Sequence, residues 1–393
     1  MQRVSESRAA PYFPELESLR GIAILLVFCF HTDGLVHFLF GDRPAPALPF
    51  VLFRVGGTGV DLFFVLSGFL LTLPFVLEAQ GGRAVPLRHY FARRALRILP
   101  LYWTTVVFIT LVSSSTAREL LRAVPHLFFL SLTIGWRPAI FPHSTVWWSL
   151  VTEVQFYLLL PAVRWLLGRG ARRRVSIGVL LGYGLLYLGA LFYAAAVPPE
   201  PAIRWIWSSL LGRLPGFLCG IFGAWGFVLY GAPVRAWLHR SSWVRFGGGD
   251  AVLIALVIGL LLVLQAVLQE VVRVGWDVAE AAPFQVYHVA AAMLWTSIAG
   301  WVLLAPLWVR PLLHNRLFAG LGKISYSIYL WHVPVVHWSL MLLRGRWPES
   351  FHVWDLPTAV AMMGVAVVTV IVASLSYRFI EQPFLTYKLR LAG

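Results

Sequence analysis

Ten apolar runs of close to twenty residues recur along this 393-residue chain, and they leave few folds open. They lie at about 21–40, 51–77, 98–114, 146–167, 175–196, 206–230, 251–272, 284–309, 317–343 and 357–377. An α-helix rises about 1.5 Å per residue, so roughly twenty apolar residues cover a hydrocarbon core about 30 Å thick. Hydrophobic residues make up 59% of the chain and charged ones 12%, a balance foreign to soluble domains of this length. A membrane β-barrel would instead show alternating segments of about ten residues. The sequence therefore predicts an all-α polytopic membrane protein with about ten transmembrane helices. An eleventh apolar stretch, Val124–Ile134, is too short to span and reads as re-entrant or interfacial.

The formal net charge of +15 would suggest nucleic acid in a soluble protein. In a membrane protein it has a simpler source, because lysine and arginine mark cytoplasmic loops. With the N-terminus inside and ten alternating spans, 22 of the 32 basic residues fall at cytoplasmic ends, 9 fall outside, and Arg213 lies within a span. Making Val124–Ile134 a full span would put Arg169, Arg172, Arg173 and Arg174 outside, against that rule. Both termini are thus expected in the cytoplasm, and no nucleic-acid partner is expected. Cys29 and Cys219 suggest neither a disulfide framework nor a metal site. Residues 1–20 carry Glu6, Pro14, Glu15 and Glu17 without an apolar core and cleavage site, so no signal peptide is expected. The whole chain reads as a single membrane domain, with a core of about 14–384 and no appended soluble domain.

Ionisable residues inside such runs are costly and mark pathways or sites. Arg20 and His31 are eleven residues apart. On a helix that separation is about 1100° and about 16 Å, so both share one face, one at the membrane edge and one near mid-depth. Imidazole, with an unperturbed pKa of about 6.5, suits proton transfer, although a packing histidine is an equal reading of His31 alone. Asp61 lies in Gly-Val-Asp-Leu-Phe-Phe-Val-Leu-Ser-Gly-Phe with Ser67; an ion pair with Arg54 or Arg213 is its structural alternative. Glu153 shares a helix face with Ser149 and Tyr157. Arg88, Arg93, Arg94 and Arg97 open the third span, and Arg93 and Arg97 share a face if that stretch is helical. Guanidinium forks match phosphate geometry, but loop topology accounts for the same cluster. Tyr329 and His332, three apart in the hydroxyl-rich start of the ninth span, can meet on one face.

Taken in order, these segments resemble the acyltransferase-3 family of integral membrane O-acyltransferases. The matching stretches are L-E-S-L-R-G-I-A with His31, G-V-D-L-F-F-V-L-S-G-F, R-R-A-L-R-I-L-P-L-Y, W-S-L-V-T-E-V-Q-F-Y, G-K-I-S-Y-S-I-Y-L-W-H and R-F-I-E-Q-P-F, from Leu16 to about Phe384. The resemblance implies transfer of an acyl group, typically acetyl, from cytosolic acyl-CoA to a hydroxyl. Acceptors would be sugars of a surface glycan, a lipid-linked glycan or a secreted metabolite, at a bacterial-type inner membrane, with glycan-assembly proteins as candidate partners. Acyl-CoA would be a co-substrate, with no permanently bound cofactor and no metal. On this reading Arg93, Arg94 and Arg97 dock the CoA phosphates with Arg20 at the mouth. His31 is the general base on the acceptor hydroxyl, and Glu153 or Asp61 orients its imidazole. Ser67, Tyr329 and His332 would position substrate. A proton-coupled transporter or flippase would use the same His, Asp and Glu as a relay, without a covalent product. A structural subunit of a glycan-assembly complex would work without His31.

Overall fold

The computed structural model describes residues 12–41, 54–114, 116–130, 140–166, 171–196, 207–274, 282–346 and 356–390. Among these residues all regular structure is helical. The helices are α1 (Pro14–Phe40), α2 (Thr58–Ala79), α3 (Leu87–Ser113), α4 (Ala117–Leu127), α5 (Trp148–Leu166), α6 (Ala171–Ala196) and α7 (Leu210–Arg240). After them come α8 (Gly249–Val274), α9 (Ala282–Leu304), α10 (Arg310–Leu313), α11 (Arg316–Lys323), α12 (Ser325–Arg346), α13 (Leu356–Ser376) and α14 (Gln382–Arg390). Eight stretches of the described residues are long and apolar enough to cross a membrane, so the chain is an all-α polytopic membrane protein.

The other two expected spans are also helical but differ in character. In α6 the apolar helix among the described residues is Ile177–Tyr193. The run 317–343 is divided: α11 ends at Lys323, and α12 restarts at Ser325. The division brings polar residues inward, with Ser325, Ser327 and His332 buried in protein where lipid cannot reach them. Residues 51–53 of the second expected span lie outside the described residues.

The eleventh apolar stretch starts earlier than expected. Its helix is α4, opened by a capping box in which Thr116 and Glu119 satisfy each other's backbone N–H. The eleven residues of α4 rise about 16 Å, half a hydrocarbon core. The Tyr102 hydroxyl and the Trp103 indole of α3 donate to the carbonyls of His126 and Leu127, at 2.8 and 2.9 Å. Residues 131–134 of that stretch lie outside the described residues.

Helix contacts centre on α1, α2 and α7, with α9 against α7 and α2, and α12 against α1 and α13. Small residues permit the closest crossing. Gly68 of α2 lies against the Phe217 backbone of α7, and Gly220 of α7 against the Val65 carbonyl of α2. A Cβ at Gly68 would overlap the Phe217 carbonyl oxygen, so the helices would have to separate. Gly68→Ala is expected to cost about 1–3 kcal/mol, the range for overpacking, and to lower Tm in detergent. Outside the bundle, Leu181, Leu185, Leu186 and Phe192 of α6 and Ile254, Ile258, Leu261 and Leu262 of α8 are exposed, an apolar surface suited to lipid.

Candidate functional site

Two neighbouring cavities lie among the central helices. The first, of about 110 Å³, is lined by Arg20 of α1, Ser67 of α2, Arg94 and Arg97 of α3, Glu153 and Tyr157 of α5, and Ser325 and Tyr326 of α12. The second, of about 280 Å³, is lined by His31 of α1, Asp61 of α2, Arg213 of α7, His288 of α9, and also Arg54, Trp148 and Trp207. Val60 and Tyr329 line both, so they form a shared wall. The separation follows from the helix register. Eleven residues along α1 carry the chain from Arg20 to His31, and antiparallel α2 runs from Asp61 to Ser67 in the opposite sense.

The first chamber is rich in guanidinium groups. The Arg20 side chain donates to the Ser325 hydroxyl at 3.3 Å, and the Arg94 guanidinium lies 5.9 Å from the Tyr157 ring centre. Arg97 pairs with Glu381 at 3.0 Å. Glu381 is only 1% exposed and also accepts from the Ser327 hydroxyl at 2.8 Å. A π-helical turn, Tyr377–Glu381, joins α13 to α14 and brings this carboxylate inward. Glu153 is held from two sides. One of its oxygens accepts from Ser67 at 2.9 Å and from Tyr157 at 2.6 Å. The face shared by Glu153 and Tyr157 is as the four-residue spacing implies. Ser149 instead meets the Tyr329 hydroxyl at 2.6 Å, and that hydroxyl donates to the Val146 carbonyl at 2.7 Å.

The second chamber holds His31. Its Nδ1 lies 2.9 Å from the Val27 carbonyl. A carbonyl only accepts, so Nδ1 carries the hydrogen and Nε2 keeps its lone pair. His332 supports this arrangement. Its Nδ1 donates to the carbonyls of Tyr329 and Ile328, at 2.7 and 3.2 Å, and its Nε2 lies 3.3 Å from His31 Nδ1. The two rings meet edge to face, 5.0 Å between centres.

Several expectations from sequence need correction. Arg93 does not line the first chamber; Arg94 and Arg97 do, with Arg20. The spacing of four placed Arg93 and Arg97 on one face, but the cavity takes in Arg97 with its neighbour on the other side, Arg94. His332 is fully buried and lines neither chamber; its ring meets that of His31. Neither carboxylate orients His31. Glu153 is committed to Ser67 and Tyr157, and Asp61 to His288 at 2.8 Å. Asp61 therefore bonds neither of the arginines considered for it, and Arg54 faces Asp33 at 3.5 Å. Ser67 and Tyr329 do line the chambers. The sequence reading missed His288 and Glu381. His288 stands in an apolar run, so the cost that singled out His31 applies to it equally. Glu381 stands in the R-F-I-E-Q-P-F segment, where the local sequence offers Arg378 and gives no sign of the distant Arg97.

The family model for an acyltransferase domain, Acyl_transf_3, matches residues 13–378. A Staphylococcus aureus (strain COL) protein named "Putative O-acetyltransferase" is 26% identical over 95% of this chain and 57% of its own length. The "Peptidoglycan O-acetyltransferase OatA" of Listeria monocytogenes is 25% identical over 95% of this chain and 56% of its own length. A protein of Acidianus two-tailed virus named "Putative acetyltransferase" is 26% identical over 82% of each chain. The chain thus spans little more than half the length of the first two relatives. No solved structure matches it. With nearly the whole chain, residues 13–378, inside the family model, the chain belongs to the acyltransferase-3 family.

Proposed function

We propose that this chain is a membrane O-acyltransferase that moves an acetyl group from acetyl-CoA to a sugar hydroxyl of a cell-envelope glycan or secreted metabolite. The observation that carries this reading is the shared wall: Arg20, Arg94 and Arg97 line one chamber, a lone-pair imidazole lines the next, and Val60 and Tyr329 separate them. Arg20, Arg94 and Arg97 offer forks for the donor's phosphates. The thioester would sit at the wall, with the acceptor hydroxyl beside His31. His31 Nε2 takes the hydroxyl proton as the oxygen attacks the acyl carbon. The C–O bond forms, the C–S bond breaks, and the proton passes to the departing thiolate. Apolar walls such as Phe63, Phe64 and Leu70 limit hydrolysis by water. The positive-inside rule favours an arginine chamber open to the cytoplasm and both termini inside; the bacterial relatives favour a bacterial-type inner membrane. The names of the relatives favour acetyl as the acyl group and a glycan such as peptidoglycan as acceptor.

The test is CoA release by purified protein in nanodiscs supplied with acetyl-CoA and a panel of glycan and lipid-glycan acceptors. Products are weighed by mass spectrometry. An acceptor that gains one acetyl group in step with CoA release supports the reading. Acceptors that stay unmodified by folded protein that binds CoA reject it and favour the transporter reading.

A further inference from the structure

The wall of the second chamber carries three buried polar atoms without a hydrogen-bond partner among the described residues: Asp61 Oδ2, Arg213 Nε and Trp207 Nε1. Buried polar groups are nearly always bonded, so three on one cavity wall point to a ligand that supplies the missing partners. Their kinds are informative. Asp61 Oδ2 accepts, whereas Arg213 Nε and Trp207 Nε1 donate. Asp61 is only 4% exposed, and its other oxygen is occupied by His288 Nδ1 at 2.8 Å. That bond fixes the His288 hydrogen on Nδ1 and leaves Nε2 as a second acceptor, on a side chain 17% exposed at the cavity. Trp148 and Trp207 supply aromatic surface in the same chamber.

We propose that Asp61, His288 and Arg213 form a specificity site that reads a second hydroxyl, adjacent to the one that is acylated. A hydroxyl both donates and accepts, so one group can give its proton to Asp61 Oδ2 or His288 Nε2 and accept from Arg213 Nε. An acceptor with a single hydroxyl would leave these atoms buried and unpaired. A site built to bond a hydroxyl rejects the analogue that lacks it by up to about 10⁴-fold. This inference rests on the acyltransferase reading for its position beside His31, but it makes a separate statement about binding.

The experiment compares trans-cyclohexane-1,2-diol with cyclohexanol, which share a ring and differ by one hydroxyl. Binding of each is read by the change in tryptophan fluorescence or thermal shift, without acetyl-CoA. Acetyl transfer to each is read as kcat/KM. The wild type is expected to prefer the diol by at least about 10²-fold in kcat/KM and to bind it more tightly. Asp61→Asn, His288→Gln and Arg213→Lys, which keeps the charge but removes the Nε donor, are each expected to cut that preference about tenfold or more. Equal binding of the two probes by the wild type overturns the proposal. So does an unchanged preference in all three variants. Preferential diol binding that the variants lose, with no acetyl transfer to the probes or to any glycan or lipid-glycan acceptor of the panel, keeps this site and rejects the acyltransferase reading, so the two failures are distinct.

Discussion

His31→Ala is expected to slow acetyl transfer by about 10²- to 10⁴-fold, the usual worth of a positioned general base. CoA binding should stay close to that of the wild type, because His31 lines the second chamber and Arg20, Arg94 and Arg97 line the first. The loss should fall on kcat more than on KM for the donor. Two interactions set the imidazole: the Val27 carbonyl holds Nδ1, and His332 Nε2 lies 3.3 Å from the same atom. Substitution of His332 should therefore also slow transfer, by a smaller factor, since it disturbs the orientation of His31 without removing the base. Stopped-flow or discontinuous CoA release, with parallel CoA titrations, measures both effects. Transfer that continues at the wild-type rate in folded His31→Ala would remove this residue from the chemistry.

The second large effect is on stability. Arg97→Ala takes from the Glu381 carboxylate, 1% exposed, the guanidinium 3.0 Å away and leaves the Ser327 hydroxyl in place. Breaking a buried ion pair from one side costs about 3–5 kcal/mol, because the remaining charge stays desolvated. Arg97 is partly open to its chamber, so the lower end of that range is expected. The double change Arg97→Met with Glu381→Met removes both charges and should recover most of the lost Tm. It should not recover donor affinity if, as proposed, Arg97 is one of the forks that hold the donor's phosphates. Thermal unfolding followed by static light scattering or tryptophan emission, beside CoA titration, separates the structural from the binding contribution. A double variant with full donor affinity would show that Arg97 only neutralises Glu381.

Hydropathy made the membrane fold legible, because lipid imposes the same length and apolarity on every spanning helix whatever it packs against. It overlooked the division at Ile324, where a buried polar helix start replaces a lipid-facing turn. Helical spacing correctly paired Glu153 with Tyr157, since a four-residue neighbour is fixed by the helix itself. It failed at Arg93, because a shared face does not say which edge of that face the neighbouring helices enclose. The cost of charge in lipid correctly singled out His31 and Asp61 as needing partners. It could not name those partners. His288 is 227 residues from Asp61, and Glu381 is 284 residues from Arg97 (381 − 97), so only the packing of distant helices brings them together.

The most direct test of the two-chamber account is acetyl transfer by Val60→Trp, with CoA binding measured on the same preparation. Val60 lines both cavities, so an indole there should intrude where donor and acceptor would meet while leaving Arg20, Arg94 and Arg97 in place. The expected result is CoA binding near the wild-type value with acetyl transfer reduced at least about 10²-fold, the scale for a misplaced reacting pair. Retained binding with undiminished transfer would contradict a reaction across the Val60 and Tyr329 wall.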